Sequence, residues 1–214
     1  MVSREPPGSH LTTLRLTGHD LGIADVVAVA RGSVSVALDR AAEHRVSDAA
    51  KLVAELAAGD APVYGVNTGF GDLATVRVPV SESRALQENL VRSHSVGVGA
   101  ALPADVVRAV LLLRANTLAA GRSGVRASTV HLLLELLNEG VLPVIPKHGS
   151  VGASGDLAPL AHAALVLMGE GEAFVDGVRM PGADALRKKG LSPLQLAPKE
   201  GVALVNGTQV MSRR

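Results

Sequence analysis

The segment Lys147 to His162 reads KHGSVGASGDLAPLAH, and its centre, Ala153-Ser154-Gly155, places a hydroxyl between the two smallest residue types. If a compressed turn brings the Gly155 amide nitrogen to the Ala153 carbonyl carbon, ring closure with loss of water gives an imidazolone. Loss of the Ser154 hydroxyl as a second water leaves an exocyclic methylidene, a built-in electrophile. Each type has its reason: glycine leaves its nitrogen unobstructed, alanine crowds the carbonyl least, and serine supplies the leaving group. Such compression is strain that the surrounding structure must hold. Asp156 adds an acceptor suited to orienting the neighbouring backbone. The same string also suits an ordinary turn into a helix with Asp156 as N-cap, and residue types alone leave both readings open.

Other chemistries are excluded by spacing. Gly149, Gly152 and Gly155 are not followed by Gly-Lys-Ser/Thr, and Gly69-Phe70-Gly71 lacks the third glycine of a dinucleotide fingerprint. The 7 histidines form no HExxH pair and there is no cysteine, so neither a metal site nor a disulfide framework is expected. A net charge of +1 and an aromatic content of 1% argue against a phosphate-backbone footprint and against base-stacking platforms, so nucleic acid is not expected as a partner. No membrane span is expected, because Arg108 and Arg114 interrupt the richest apolar stretch. Residues 1–10 read as a flexible polar arm and not as a signal peptide, which predicts a cytoplasmic protein.

The elements that must position this chemistry are mostly helical. With 47% hydrophobic residues but only Tyr64, Phe70 and Phe174 as aromatics, the core must be built from Ala, Val and Leu. Leu14–Leu16 predicts a short strand, Asp20 caps a helix ending at Gly32, and a longer helix is expected over 34–58, broken or capped near Ser47 and closed by Gly59. Residues 61–75 read as a loop. Helical spacing resumes near Ser81 and runs past Leu90 and Val91. Pro103 with Asp105 opens a helix stopped by Gly121, and Val130–Leu137 is a helix buried on most sides. Pro143 and Pro146 force an extended passage into the glycine-rich loop, after which helix is expected over 157–168. A hairpin around Asp176-Gly177, a short helix over 184–189 and a short strand over 202–205 complete a single domain from residue 11 to 214.

The string GSVGASGDLAPLAH resembles the cofactor-forming motif of the aromatic amino acid ammonia-lyases, in which Ala-Ser-Gly becomes 4-methylidene-imidazol-5-one. Tyr64–Asp72, YGVNTGFGD, resembles the family's N-terminal active-site loop. Leu86–Gly99, LQENLVRSHSVGVG, resembles the segment that selects the substrate side chain, and Val205–Gln209, VNGTQ, resembles a strand-to-helix turn carrying a catalytic asparagine. Four motifs stand in the family's order, and Ser93-His94 is most similar to the histidine-acting branch.

The resemblance implies a mainly α, ammonia-lyase-like N-terminal domain with short strands and a glycine-rich cofactor loop, its C-terminal helical bundle apparently missing. It implies elimination of ammonia from L-histidine to give trans-urocanate, with no metal, in a homotetramer whose sites draw on three subunits. Tyr64 is implied as general base, His94 as the contact to the substrate ring, and Asn206 as the holder of the substrate carboxylate or cofactor carbonyl. Ala153, Ser154 and Gly155 form the cofactor, and Asp156 supports it. The family's later helices supply a further arginine, tyrosines and a glutamate. The alternatives are a non-catalytic truncated fragment, or a lyase or aminomutase acting on tyrosine or phenylalanine.

Overall fold

A computed structural model describes residues 12–149, 151–152 and 155–211. The arm expected over residues 1–10, and Ala153 and Ser154, lie outside the described residues.

The chain opens with a β-α-β unit. Strand β1 (Thr13–Leu16), helix α1 (Ile23–Ala30) and strand β2 (Ser35–Leu38) place β1 and β2 side by side in parallel, Thr13 opposite Ser35 and Leu16 opposite Leu38. The expected cap Asp20 does not start α1. Its carboxylate accepts from the Thr17 hydroxyl, and the helix starts at Gly22, whose N–H donates to Asp25 at 2.9 Å.

The expected helix over 34–58 is corrected at its start. Residues 35–38 form β2, burying Val36 and Leu38 and leaving Ser35 and Ala37 half-buried, a period of two. Helix α2 (Arg40–Ala58) begins only after Asp39, whose carboxylate caps the amides of Ala41 and Ala42 at 2.9 and 3.3 Å, and it runs through Ser47 without the break expected there.

The centre of the molecule is three apolar helices. After α3 (Val80–His94) and strand β3 (Val98–Ala101) come α4 (Ala104–Ala119) and α5 (Ala127–Glu139). Strands β4 (Leu142–Pro143), β5 (Pro146–His148), β6 (Val151–Gly152) and β7 (Gly155–Asp156) lead into α6 (Leu157–Leu167). Leu111, Leu112 and Leu118 of α4, Leu133, Leu136 and Leu137 of α5, and Leu160, Val166 and Leu167 of α6 are all buried in one cluster. Each such side chain contributes about 1.5–3 kcal/mol of transfer free energy. Hence the core is built from Ala, Val and Leu with almost no aromatic contribution.

Asn138, at the end of α5, completes the outer edge of β2. Its carboxamide accepts from Val36 N–H and donates to Val36 C=O, both at 2.9 Å, and so replaces a neighbouring strand.

The prolines deliver the extended passage: β4 pairs antiparallel with β8 (Glu172–Val175), and β5 with β3. Strand β9 (Val178–Pro181) forms a hairpin with β8 across Asp176 and Gly177, both at positive φ (53° and 77°), as the Asp-Gly turn requires. Helix α7 (Gly182–Lys188) follows it.

The strand expected over 202–205 is instead helix α8 (Glu200–Val205). Four apolar residues in a row cannot distinguish buried strand from buried helix by periodicity, and α8 is buried at Gly201, Ala203, Leu204 and Val205. Among the described residues the architecture is eight helices with short strands at their ends, the mainly α fold expected.

Candidate active site

Three segments far apart in sequence meet at one cavity of about 400 Å³, lined by Tyr64, Phe70, Leu90, His94, Leu157 and Asn206 among others. The first is the loop after α2. Its shape depends on buried Asn67, whose side-chain oxygen accepts from Val63 N–H at 2.7 Å while its NH2 donates to the carbonyls of Ala61 and Leu56 at 3.0 and 3.2 Å. Arg77 adds bonds to the carbonyls of Gly59 and Asp60 at 2.8 and 2.6 Å, and Thr68 bridges to Arg77. Held at its base, the loop presents Tyr64 at 58% exposure, edge-on to Phe70 with ring centroids 6.1 Å apart.

The second is the C-terminal end of α3. His94 Nδ1 lies 2.9 Å from the Leu90 carbonyl and 3.1 Å from Ser93 Oγ, and the Ser93 hydroxyl donates to that same carbonyl at 2.9 Å. A carbonyl only accepts, so the contact requires a proton on Nδ1, and in the neutral ring Nε2 carries the lone pair. The glycines that follow turn the chain into β3, where Gly97 N–H donates to His162 Nε2 at 3.1 Å.

The third is the turn after α8. Asn206 sits at the C-cap of α8, and its backbone carbonyl accepts from Arg114 Nη1 at 2.9 Å. Arg114 is buried, no carboxylate lies within ion-pair distance of it among the described residues, and burial pushes its pKa down to about 10. It remains cationic at neutral pH beneath the Asn206-Gly207 peptide.

The glycine-rich loop closes on this turn. Gly155 has φ +102°, and a Cβ there would lie 2.9 Å from both Gly207 O and Thr208 Cγ2. Only glycine fits, the residue type that ring closure also demands, so the described part of the loop is compatible with a cofactor made from its own backbone. Asp156 occupies the expected N-cap position of α6, but among the described residues its side chain makes no capping bond. Its Oδ1 is buried without a partner among the described residues, and burial raises its carboxyl pKa.

The structure therefore gathers Tyr64, His94 and Asn206 around one cavity, with Leu157 linking that cavity to the loop end at Gly155 and Asp156. A larger cavity of about 610 Å³, lined by Leu102, Val107, Leu142 and Phe174, carries Asp176 as its one ionisable wall residue and none of the motif residues. Chemistry, not size, selects the site.

Sequence reading passes over the polar residues that hold these segments. Gln87 and Glu200 are both fully buried. Glu200 accepts from Arg126 N, Nε and Nη2 at 2.9, 3.1 and 2.7 Å, from Thr129 Oγ1 at 2.7 Å and from Ala197 N at 2.8 Å. Burial pushes its carboxyl up, but the Arg126 guanidinium, the Ala197 and Arg126 amides and the Thr129 hydroxyl outweigh that and hold it below the usual range. Arg108 and Arg114, which break the apolar run of α4, bind carbonyls at helix ends and turns. A polar residue inside an otherwise apolar stripe is the one signal that marks them in advance.

Known proteins share both sequence and fold. Residues 21–213 match the family model described as aromatic amino acid lyase. Histidine ammonia-lyase of Stigmatella aurantiaca is 56% identical over 198 residues, covering 92% of this chain and 39% of the relative. That of Anaeromyxobacter dehalogenans is 55% identical over 210 residues, covering 94% and 41%. The crystal structure of histidine ammonia-lyase from Trypanosoma cruzi superposes with a TM-score of 0.87 at 36% identity, covering 94% of this chain and 39% of that one. Tyrosine aminomutase from Streptomyces globisporus superposes with a TM-score of 0.88 at 39% identity, covering 94% and 38%. The chain thus spans about two fifths of the length of the curated relatives it matches. Match and superposition both run across nearly all of its length, and the chain belongs to the aromatic amino acid lyase family.

Proposed function

We propose that this chain is the N-terminal part of a histidine ammonia-lyase, which eliminates ammonia from L-histidine to give trans-urocanate. The observation that carries the reading is the convergence of Tyr64, His94 and Asn206 on one cavity beside Gly155. The two histidine ammonia-lyases at 56% and 55% identity support histidine over the aminomutase alternative, whose structure is 39% identical.

In this reading Ala153, Ser154 and Gly155 would form 4-methylidene-imidazol-5-one, which would supply an electrophile that makes the substrate amine a competent leaving group. Tyr64 is the general base, its side-chain oxygen taking the proton from the side-chain methylene carbon of the substrate. The C–H electron pair becomes the new C=C bond as the C–N bond breaks and ammonia leaves, so the reaction needs no oxidant. His94, with its Nε2 lone pair, accepts the N–H of the substrate imidazole and sets specificity. Asn206 donates its carboxamide N–H to the substrate carboxylate or the cofactor carbonyl. Buried Asp156 supports the loop as an acceptor. Homotetrameric assembly and a cytoplasmic setting are carried over with the family resemblance, as are an arginine, tyrosines and a glutamate from the part of the relatives beyond this chain.

Purified protein with L-histidine tests whether this chain is active by itself: a rise in urocanate absorbance, with none from L-tyrosine or L-phenylalanine, supports the active-enzyme reading. A flat trace at adequate protein concentration sinks the active-enzyme reading in favour of a non-catalytic fragment. Intact mass tests the cofactor separately. Loss of two waters is expected, and it should vanish in Ser154→Ala.

A further inference from the structure

Gln87 lies in the middle of α3, fully buried, and its carboxamide is used at both ends. The side-chain oxygen accepts from Gly201 N–H at 2.9 Å and from Val202 N–H at 3.3 Å, in the first turn of α8. The side-chain nitrogen donates to the carbonyl of Gly65 at 3.4 Å, the residue that follows Tyr64. His94 stands on the same helix seven residues later, two turns on the same face and about 10 Å along the axis. Helix α8 is only six residues long and ends at Asn206. One side chain therefore bonds directly to two of the three segments that carry the cavity residues and is covalently part of the third. Its contact with α8 is so close that a Cβ on Gly201 would lie 2.6 Å from the Gln87 carbonyl and 2.9 Å from its Oε1, which accounts for glycine there.

We propose that Gln87 is a positioning residue that holds Tyr64, His94 and Asn206 in one frame by tying the Tyr64 loop and the start of α8 to α3. The proposal rests on the reading that those three residues form the reacting site. Glutamine suits the task because it both donates and accepts: the loop offers a carbonyl, α8 offers amides, and a carboxylate or an apolar side chain satisfies at most one of them. Burial makes the tie stiff, since no water replaces a lost partner.

The test uses residue-resolved amide exchange together with selective isotopic labelling of tyrosine, which in this chain reports Tyr64 alone. In Gln87→Met, the amides of Gly201 and Val202 should exchange about tenfold faster, as expected for one lost buried hydrogen bond of roughly 1.4 kcal/mol. The Tyr64 signal should broaden or shift with them, while core amides at Leu112 and Leu136 keep wild-type protection. Gln87→Glu separates the two ends. Its carboxylate still accepts from α8, so Gly201 and Val202 stay protected, but it faces the Gly65 carbonyl without a proton and only the Tyr64 signal changes. Acidification that protonates the introduced carboxyl should restore that signal. If Met fails to fold, as loss of the core amides would reveal, the Glu variant decides. An unperturbed Tyr64 signal in Gln87→Glu across the titration overturns the proposal and leaves Gln87 as packing between α3 and α8. None of these readouts measures turnover, so a wild-type protein without lyase activity would remove the functional reading and leave the exchange result standing.

Discussion

Glu200 gives the sharpest stability prediction. Its carboxylate is fully buried and collects five donors, three from Arg126 and one each from Thr129 and Ala197, tying the start of α8 to the start of α5. Replacing it with Ala strands the Thr129 hydroxyl and two backbone amides and leaves the half-exposed Arg126 guanidinium without its carboxylate, bonded only to the Gln195 carbonyl among the described residues. Breaking a buried pair costs about 3–5 kcal/mol, and each orphaned donor about 1–3 kcal/mol before water enters. Partial solvation of Arg126 offsets part of this, which puts the expected loss near ~4 kcal/mol. At about 2–4 °C per kcal/mol for a chain of this size, the midpoint should fall on the order of 10 °C.

Thermal unfolding followed by far-UV circular dichroism at neutral pH reads this directly. Glu200→Gln, which keeps one acceptor but not the charge, should fall between Ala and wild type. The pH dependence has a definite sign. The folded-state pKa of Glu200 lies below its ordinary value of 4.5, so the stabilisation is present above that value and is lost as pH falls through the folded-state pKa. The gap between wild type and Gln should therefore narrow in acid. A midpoint for Glu200→Ala within a degree or two of wild type would refute the account of this buried cluster.

Further predictions concern other parts of the frame. Gly155→Ala puts a Cβ 2.9 Å from Gly207 O at φ +102° and should cost about 1–3 kcal/mol in urea unfolding, while also suppressing the two-water mass loss; an unchanged urea midpoint argues against the close approach. Asn138→Ala removes both bonds to Val36 and should cost about 1–3 kcal/mol, with Asn138→Asp recovering only the half in which the side chain accepts; equal losses in the two variants would contradict that division. His162 has its pKa lowered by burial and accepts from Gly97 N–H, so the folded state binds fewer protons than the unfolded one in the window below 6.5. Stability should therefore rise with pH across that window, and His162→Gln should flatten the slope; a slope unaltered in the variant removes His162 as its source.

Much of this protein is legible from its residues in order. Helix stripes in α3, α4, α5 and α6, the Asp176-Gly177 hairpin and the loop around Tyr64 follow from local periodicity and turn chemistry, because those signals act over a few residues. The candidate site residues follow from motif types and their order, with Gly155 constrained by the same requirement for an unobstructed backbone. The misread elements share one physical cause. Residues 35–38 and 202–205 are short apolar runs whose conformation depends on a distant partner, β1 and Asn138 in one case, Gln87 and the Glu200 cluster in the other. Tertiary structure alone decides that Tyr64, His94 and Asn206 share a cavity. The buried hydrogen bonds of Gln87 and the Arg114 bond to Asn206 span 22 to 115 residues of sequence, and no local pattern encodes the partner of a bond that long.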